Sequence, residues 1–200
     1  MPRTISRDEA VDLLHEWVQS ESLRRHCYAV EAAMRAYARR YEADEELWGV
    51  TGLLHDADYE RFSDMDDEVN GHPRSIMRHL EELDAPPEMV RGIASHADFL
   101  GVSRDSDMEK VLFAVDELSG FLTACAYVRP EGIVGLTPKS VKKKLKQPSF
   151  AAAVNRDDVR DGAEQLGVDF DEHVTLVIAA LEERATELGL DGSADAAGAG

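Results

Sequence analysis

The chain predicts an all-α fold, a compact single-domain multi-helix bundle, and three observations carry that expectation. Apolar residues recur at helical spacing along most of the sequence. No stretch sustains the period-two alternation of a strand between turn residues. Cap and breaker residues fall between the periodic segments and punctuate them as short connections. The 200 residues, 44% of them hydrophobic, are enough for one sizeable core. Composition shifts only at the end, so residues 1–190 are expected to form the domain and residues 191–200, small and polar, a disordered tail.

The elements follow in order. Ser6-Arg7-Asp8-Glu9 is a capping-box pattern that opens a helix through about Val18, with Val11, Leu14 and Val18 as its stripe. Ser20-Glu21-Ser22 starts a longer helix to about Tyr41, in which Leu23, Cys27, Val30, Met34, Tyr37 and Ala38 keep helical spacing and His26 lies beside them. Asp44 caps a third, whose Leu47, Val50, Leu53 and Leu54 face inward and which closes on His55-Asp56. Residues 57–70 are acidic and turn-rich, a loop over that end. Gly71-His72-Pro73 opens the next helix, with Ile76, Met77, Leu80 and Leu83 buried, until Ala85-Pro86-Pro87 breaks it. Glu88 to Ala97 forms a short helix that delivers His96.

Met108 to Val128 is the most apolar helix, and Asp116 sits in its middle, where an unpaired carboxylate is costly. After Pro130, Gly132 and Gly135, a short basic helix runs from Thr137-Pro138 to Lys146. Two more helices, about Arg156 to Leu166 and about Asp171 to Leu188, are separated by Gly167. The sequence contains no internal repeat.

Forty acidic against 22 basic residues give a formal net charge of -18, which disfavours general nucleic-acid binding. Four of the six lysines fall within Ser140 to Lys146. The longest apolar runs are well short of the roughly 20 residues that a bilayer span needs. Met1-Pro2-Arg3-Thr4-Ile5 lacks a signal-peptide apolar core. Cys27 and Cys125, both in helical apolar stretches, fit reduced core thiols. A cytoplasmic location is expected. A homodimer is compatible with the sequence, although no heptad run or leftover apolar face demands one.

The stretch on which function turns is Thr51-Gly52-Leu53-Leu54-His55-Asp56-Ala57-Asp58-Tyr59-Glu60. A buried helix delivers an imidazole and a carboxylate together at its end, a donor set suited to divalent Mn, Fe, Ni, Zn or Mg. Taken singly, His26, His55, Asp56 and Asp116 each have an ordinary structural reading. Together, the order His26, His55-Asp56, Asp116 on an all-helical background resembles the HD-domain superfamily of metal-dependent phosphohydrolases, over residues 22–128, with residues 129–190 as a helical extension.

That resemblance implies that His26, His55, Asp56 and Asp116 bind one divalent metal. It further implies that His72 and His96 bring a second, bridged by Asp56, so that one or two ions are expected per chain. The text around Leu53 to Tyr59, Ala114 to Phe121 and Ser140 to Lys146 looks like a bacterial or archaeal subgroup of small HD-domain proteins. Ala57, Asp58 and Tyr59 replace the Gly-rich, lysine-bearing continuation of the cyclic-dinucleotide phosphodiesterases, which argues against such a substrate. Asp58 is the candidate catalytic group, to orient the attacking water or accept its proton, against a plain loop carboxylate. Arg129, Lys142, Lys143, Lys144 and Lys146 are candidates for holding substrate phosphate, against a solvated amphipathic helix. The expected activity is hydrolysis of a small phosphorylated metabolite or nucleotide. A di-iron HD-type oxygenase and a non-catalytic metal-binding helical module are the competing readings.

Overall fold

The computed structural model describes residues 2–192; the last eight residues of the expected tail, 193–200, lie outside the described residues. The fold is all-α, and no strand occurs among the described residues. The helices are α1 (Arg7–Trp17), α2 (Glu21–Arg40), α3 (Glu45–Leu54), α4 (Arg74–Glu82), α5 (Pro87–His96), α6 (Asp107–Tyr127), α7 (Pro138–Leu145), α8 (Arg156–Leu166), α9 (Phe170–Glu182) and α10 (Ala185–Leu188), with one 3-10 turn at Asp98–Leu100.

Most boundaries are set by the residues that sequence chemistry singles out. Ser6 and Glu9 form a complete capping box on α1, and Ser20 caps α2 through Leu23 N. The Asp44 carboxylate accepts from Glu46 N and Leu47 N at 3.0 Å each, opening α3. Two boundaries differ from expectation. Pro73 is the N-cap of α4 and lies outside its first turn. The helix expected from Asp171 to Leu188 is broken: Glu183 N bonds to both Ala179 O and Leu181 O, which tightens the turn, and α10 restarts after Arg184. No glycine or proline marks that break, whereas Arg184 pairs with Glu187 across the new first turn.

Residue contacts divide the chain into two compact units, Met1–Leu112 and Phe113–Gly200. In the first, α2 packs along α3, α1 and α5 pack on α3, and α4 packs on α5. Leu14, Cys27, Val50, Leu53, Leu54, Ile76, Leu80 and Ile93 are fully buried there. The α2/α3 contact is close at Gly52, where a Cβ would come within 2.8 Å of Met34 Cγ and 3.2 Å of Val30 O. Charged groups also sit inside this packing, Glu31 among them. Glu31 of α2 is fully buried; it takes Arg7 Nε at 2.6 Å and Arg7 Nη2 at 3.0 Å, and Arg35 Nε at 2.9 Å.

In the second unit α9 is central, with α7, α8 and α10 against it. His173 of α9 is buried and bonded through Nε2 to Ala114 O at 3.0 Å, a structural role. Neither cysteine forms a disulfide, and both are buried. Burial pushes the Cys125 thiol up to about 12, against the lowering influence of Lys144 and Arg129. The folded state therefore favours the neutral thiol. Its contribution to stability is complete below the ordinary thiol value of 9.0 and is lost as pH rises from there towards 12. Native protein at pH 8 is expected to resist iodoacetamide at both cysteines and to take up two labels in urea; mass spectrometry reads the count. Among the described residues, no helix is long and apolar enough to cross a membrane.

Candidate metal centre

The end of α3 places the key pair. After the fully buried Leu53 and Leu54, His55 is the C-cap and Ala57 N turns back to Leu54 O at 3.1 Å. This turn projects His55 and Asp56 from adjacent positions. His26 arrives from α2, His72 from the residue before Pro73, and His96 from the last position of α5.

Four imidazoles converge on one carboxylate. His26 Nε2 and His55 Nε2 lie 3.7 and 3.6 Å from Asp56 Oδ2, and His72 Nε2 and His96 Nε2 lie 3.5 and 3.6 Å from Asp56 Oδ1. Neighbouring rings are 5.2 to 5.3 Å apart, centroid to centroid. The ligating atoms form two compact triads, His26-His55-Asp56 and Asp56-His72-His96. Asp56 belongs to both, one oxygen to each.

The chemistry of the donors tests whether a cation fits. His55 Nδ1 bonds to Gly52 O at 2.8 Å, His96 Nδ1 to Ile93 O at 2.5 Å, and His72 Nδ1 to Asp58 Oδ1 at 2.7 Å. Carbonyl and carboxylate oxygens only accept, so in each neutral ring Nδ1 is the donor and Nε2 carries the lone pair. Three such lone pairs point towards a carboxylate that is itself an acceptor. The separations of 3.5–3.7 Å exceed a hydrogen bond. They suit ligands that share one ion at roughly 2.0–2.2 Å each. The His/Asp groups therefore fit divalent metal.

Asp58, the candidate for the attacking water, is instead fully buried behind the ligands. Oδ1 accepts from His72, and Oδ2 accepts from Ile76 N at 2.9 Å, which makes Asp58 the side-chain cap that α4 otherwise lacks. Such a partner fixes the tautomer and orientation of a metal-binding imidazole. An Asp58→Asn variant is expected to weaken binding of the ion held by His72 and His96 by about 10–100-fold. Metal titration followed by elemental analysis reads it, and the His26-His55 ion should change far less.

The loop between Asp58 and His72 is held by its own polar groups. Phe62 N bonds to Asp58 O and His72 N to Phe62 O, both at 2.8 Å. Asp67 takes Val69 N and Asn70 N, and the Asn70 amide, ahead of the others, holds its carboxyl below the usual range. A Cβ on Gly71 would overlap the Asp64 carbonyl oxygen, so this closure needs glycine. Two loop residues missed by sequence reasoning stand at the centre's edge. Tyr59 lies edge-on to His72 at 5.2 Å, and Glu60 accepts Gln19 N and Ser20 N at 2.9 Å each, tying the loop to the start of α2. Nothing local in the sequence signals either contact. A cleft of about 450 Å³, lined by Ser20, Ser22, His26, Tyr59, Glu60 and Ser63 among others, opens at His26.

The remaining candidates lie elsewhere in the chain. Asp116 is half-buried on α6, in the second unit. Lys142 pairs with Asp171 at 2.8 Å, and Lys144 Nζ sits 4.4 Å over the Phe150 ring. Arg129 bonds to Gly132 O and Val134 O at 2.9 and 2.7 Å, bracing its own loop. Lys142, Lys143 and Lys146 line a cleft in the second unit. Of the other histidines, His15 bonds to Tyr28 Oη, and His79 is half-buried 5.0 Å from the Trp17 ring.

A family model described as the HD domain matches residues 23–120. No curated protein and no solved structure matches the chain. The matched span holds His26, His55, Asp56, His72, His96 and Asp116, and residues 23–120 are thereby identified as an HD domain.

Proposed function

We propose that the protein is a metal-dependent phosphohydrolase acting on a small phosphorylated metabolite or nucleotide, with two divalent ions bound by the triads that share Asp56. The observation that carries this is the pair of donor sets divided between the two oxygens of one carboxylate. Divalent ions held there lower the pKa of water from about 16 towards 7 and offset charge on a phosphoryl oxygen. Asp58, fully buried and bonded to His72 and Ile76 N, acts by positioning His72. The cleft at His26 offers serine hydroxyls to a polar substrate, with Tyr59 at its rim. Its volume of about 450 Å³ suits a metabolite-sized ligand. For Asp116 the argument is the family's pattern, and the metal content of an Asp116→Asn variant tests it.

The donor set alone also suits iron, which keeps a di-iron oxygenase as the second reading. The deciding experiment incubates protein of known metal content with a panel of phosphorylated metabolites and nucleotides, under manganese, magnesium or iron, and follows phosphate release and oxygen uptake together. Phosphate release that is lost with a His55→Ala, Asp56→Ala double variant supports the proposal. Oxygen uptake with iron and no phosphate release supports the oxygenase. Folded protein that binds no metal from any supplied ion overturns both.

A further inference from the structure

We infer that the cleft between α7 and α8 is a binding site for an organic phosphate, a ligand with clustered negative charge joined to a flat apolar moiety. All the residues lining the cleft belong to the second unit, and none of them is a candidate metal ligand, so this does not rest on the reading of the metal centre.

The charge distribution is the first argument. In a chain of formal net charge -18, five of the six lysines fall between positions 139 and 146. Lys139, Lys142, Lys143 and Lys146 all line the cleft, and from α8 Arg160 joins them, against one lining carboxylate, Glu164. The four lysines stand at i, i+3, i+4 and i+7, one face of the helix. Like charges at this spacing repel, and Lys139, in the first turn of α7, also faces the positive end of the helix dipole. Lys142 is relieved by Asp171 and Arg160 by Asp157, whereas Lys139, Lys143 and Lys146 have no carboxylate partner among the described residues. A face that costs its helix stability and gathers most of the lysines fits a bound anion.

The floor is the second argument. Leu145, Ala163, Val168 and Phe170 form it, and Val168 and Phe170 are only half-buried. A bare inorganic anion leaves such a floor unused; a ring covers it. The volume, about 880 Å³, falls in the range of small-molecule sites, roughly 300–1,000 Å³. A nucleic-acid strand would meet the acidic remainder of the surface, so the ligand is small.

The test titrates the full-length protein with a fluorescent adenosine triphosphate analogue in excess chelator, so that the metal centre takes no part. Unlabelled adenosine triphosphate, inorganic tripolyphosphate, adenosine and a short RNA serve as competitors. The expected result is saturable binding that weakens with salt. Adenosine triphosphate should compete better than tripolyphosphate, with adenosine alone ineffective. A Lys143→Glu, Lys146→Glu variant should bind about tenfold more weakly or worse. A Lys143→Gln, Lys146→Gln variant should fall between, both keeping wild-type helicity because the positions are exposed. The His55→Ala, Asp56→Ala variant should bind as wild type. Equal binding by the Lys143→Glu, Lys146→Glu variant, loss in the His55→Ala, Asp56→Ala variant, no binding at millimolar ligand, tripolyphosphate competing as well as adenosine triphosphate, or RNA outcompeting both would each overturn the inference.

Discussion

An Asp56→Ala variant is expected to lose both metal ions at once while keeping its helices. The reason is the division of one carboxylate between two triads: Oδ2 faces His26 and His55, and Oδ1 faces His72 and His96. Removing it takes a donor from each ion and deletes the one carboxylate that faces all four imidazoles, so charge neutralisation falls along with coordination. A His26→Ala or His96→Ala variant touches a single triad and should lose no more than one ion. Elemental analysis beside circular dichroism separates the two patterns. Metal content in Asp56→Ala matching that of His26→Ala would rule out the bridging role. Folding should survive, because Asp56 is partly exposed at a helix end and the buried capping contact belongs to Asp58.

The second large effect is on stability. Glu31→Ala is expected to destabilise the protein by about 3 kcal/mol, the low end of the cost of breaking a buried ion pair by removing one partner. Glu31 is fully buried and is the common acceptor of Arg7 from α1 and Arg35 from its own helix. The arginine side chains retain 35% and 16% of their exposure, so water relieves part of the loss. For a chain of this size, that destabilisation lowers Tm by roughly 6–12 °C. Glu31→Gln keeps an acceptor for one arginine and should fall between. Thermal melts of the two variants check the order, and a Tm within a degree or two of wild type for Glu31→Ala would show that the arginines find other acceptors.

The sequence made the helices legible wherever local chemistry sets them. Ser6 with Glu9, Ser20, Asp44 and Thr137 each place a side-chain oxygen where orphan backbone amides need it, and the structure uses all four. The break after Glu182 was not legible, because a tightened turn between two good helix formers carries no glycine or proline. In the candidate centre, His26, His55, Asp56, His72 and His96 stand out by residue type and order, and the structure brings these five together. What their neighbours do could not be read locally. Asp58 is followed by Tyr59 and Glu60 in an acidic stretch, and only tertiary packing reveals that its two oxygens reach positions 14 and 18 residues away. The Glu31 pairing with Arg7 spans 24 residues, and the Lys142 pairing with Asp171 spans 29.

The two triads offer the same donors, two imidazole nitrogens and one oxygen of the same aspartate. Imidazole and carboxylate donors of this kind do little to sort one transition metal from another, and affinity then follows the general order of the divalent series more than any preference built into the donor atoms. The occupant becomes a property of the cell's metal supply. The same polypeptide, drawn from an iron-rich culture or a manganese-rich one, would arrive at the bench carrying different ions.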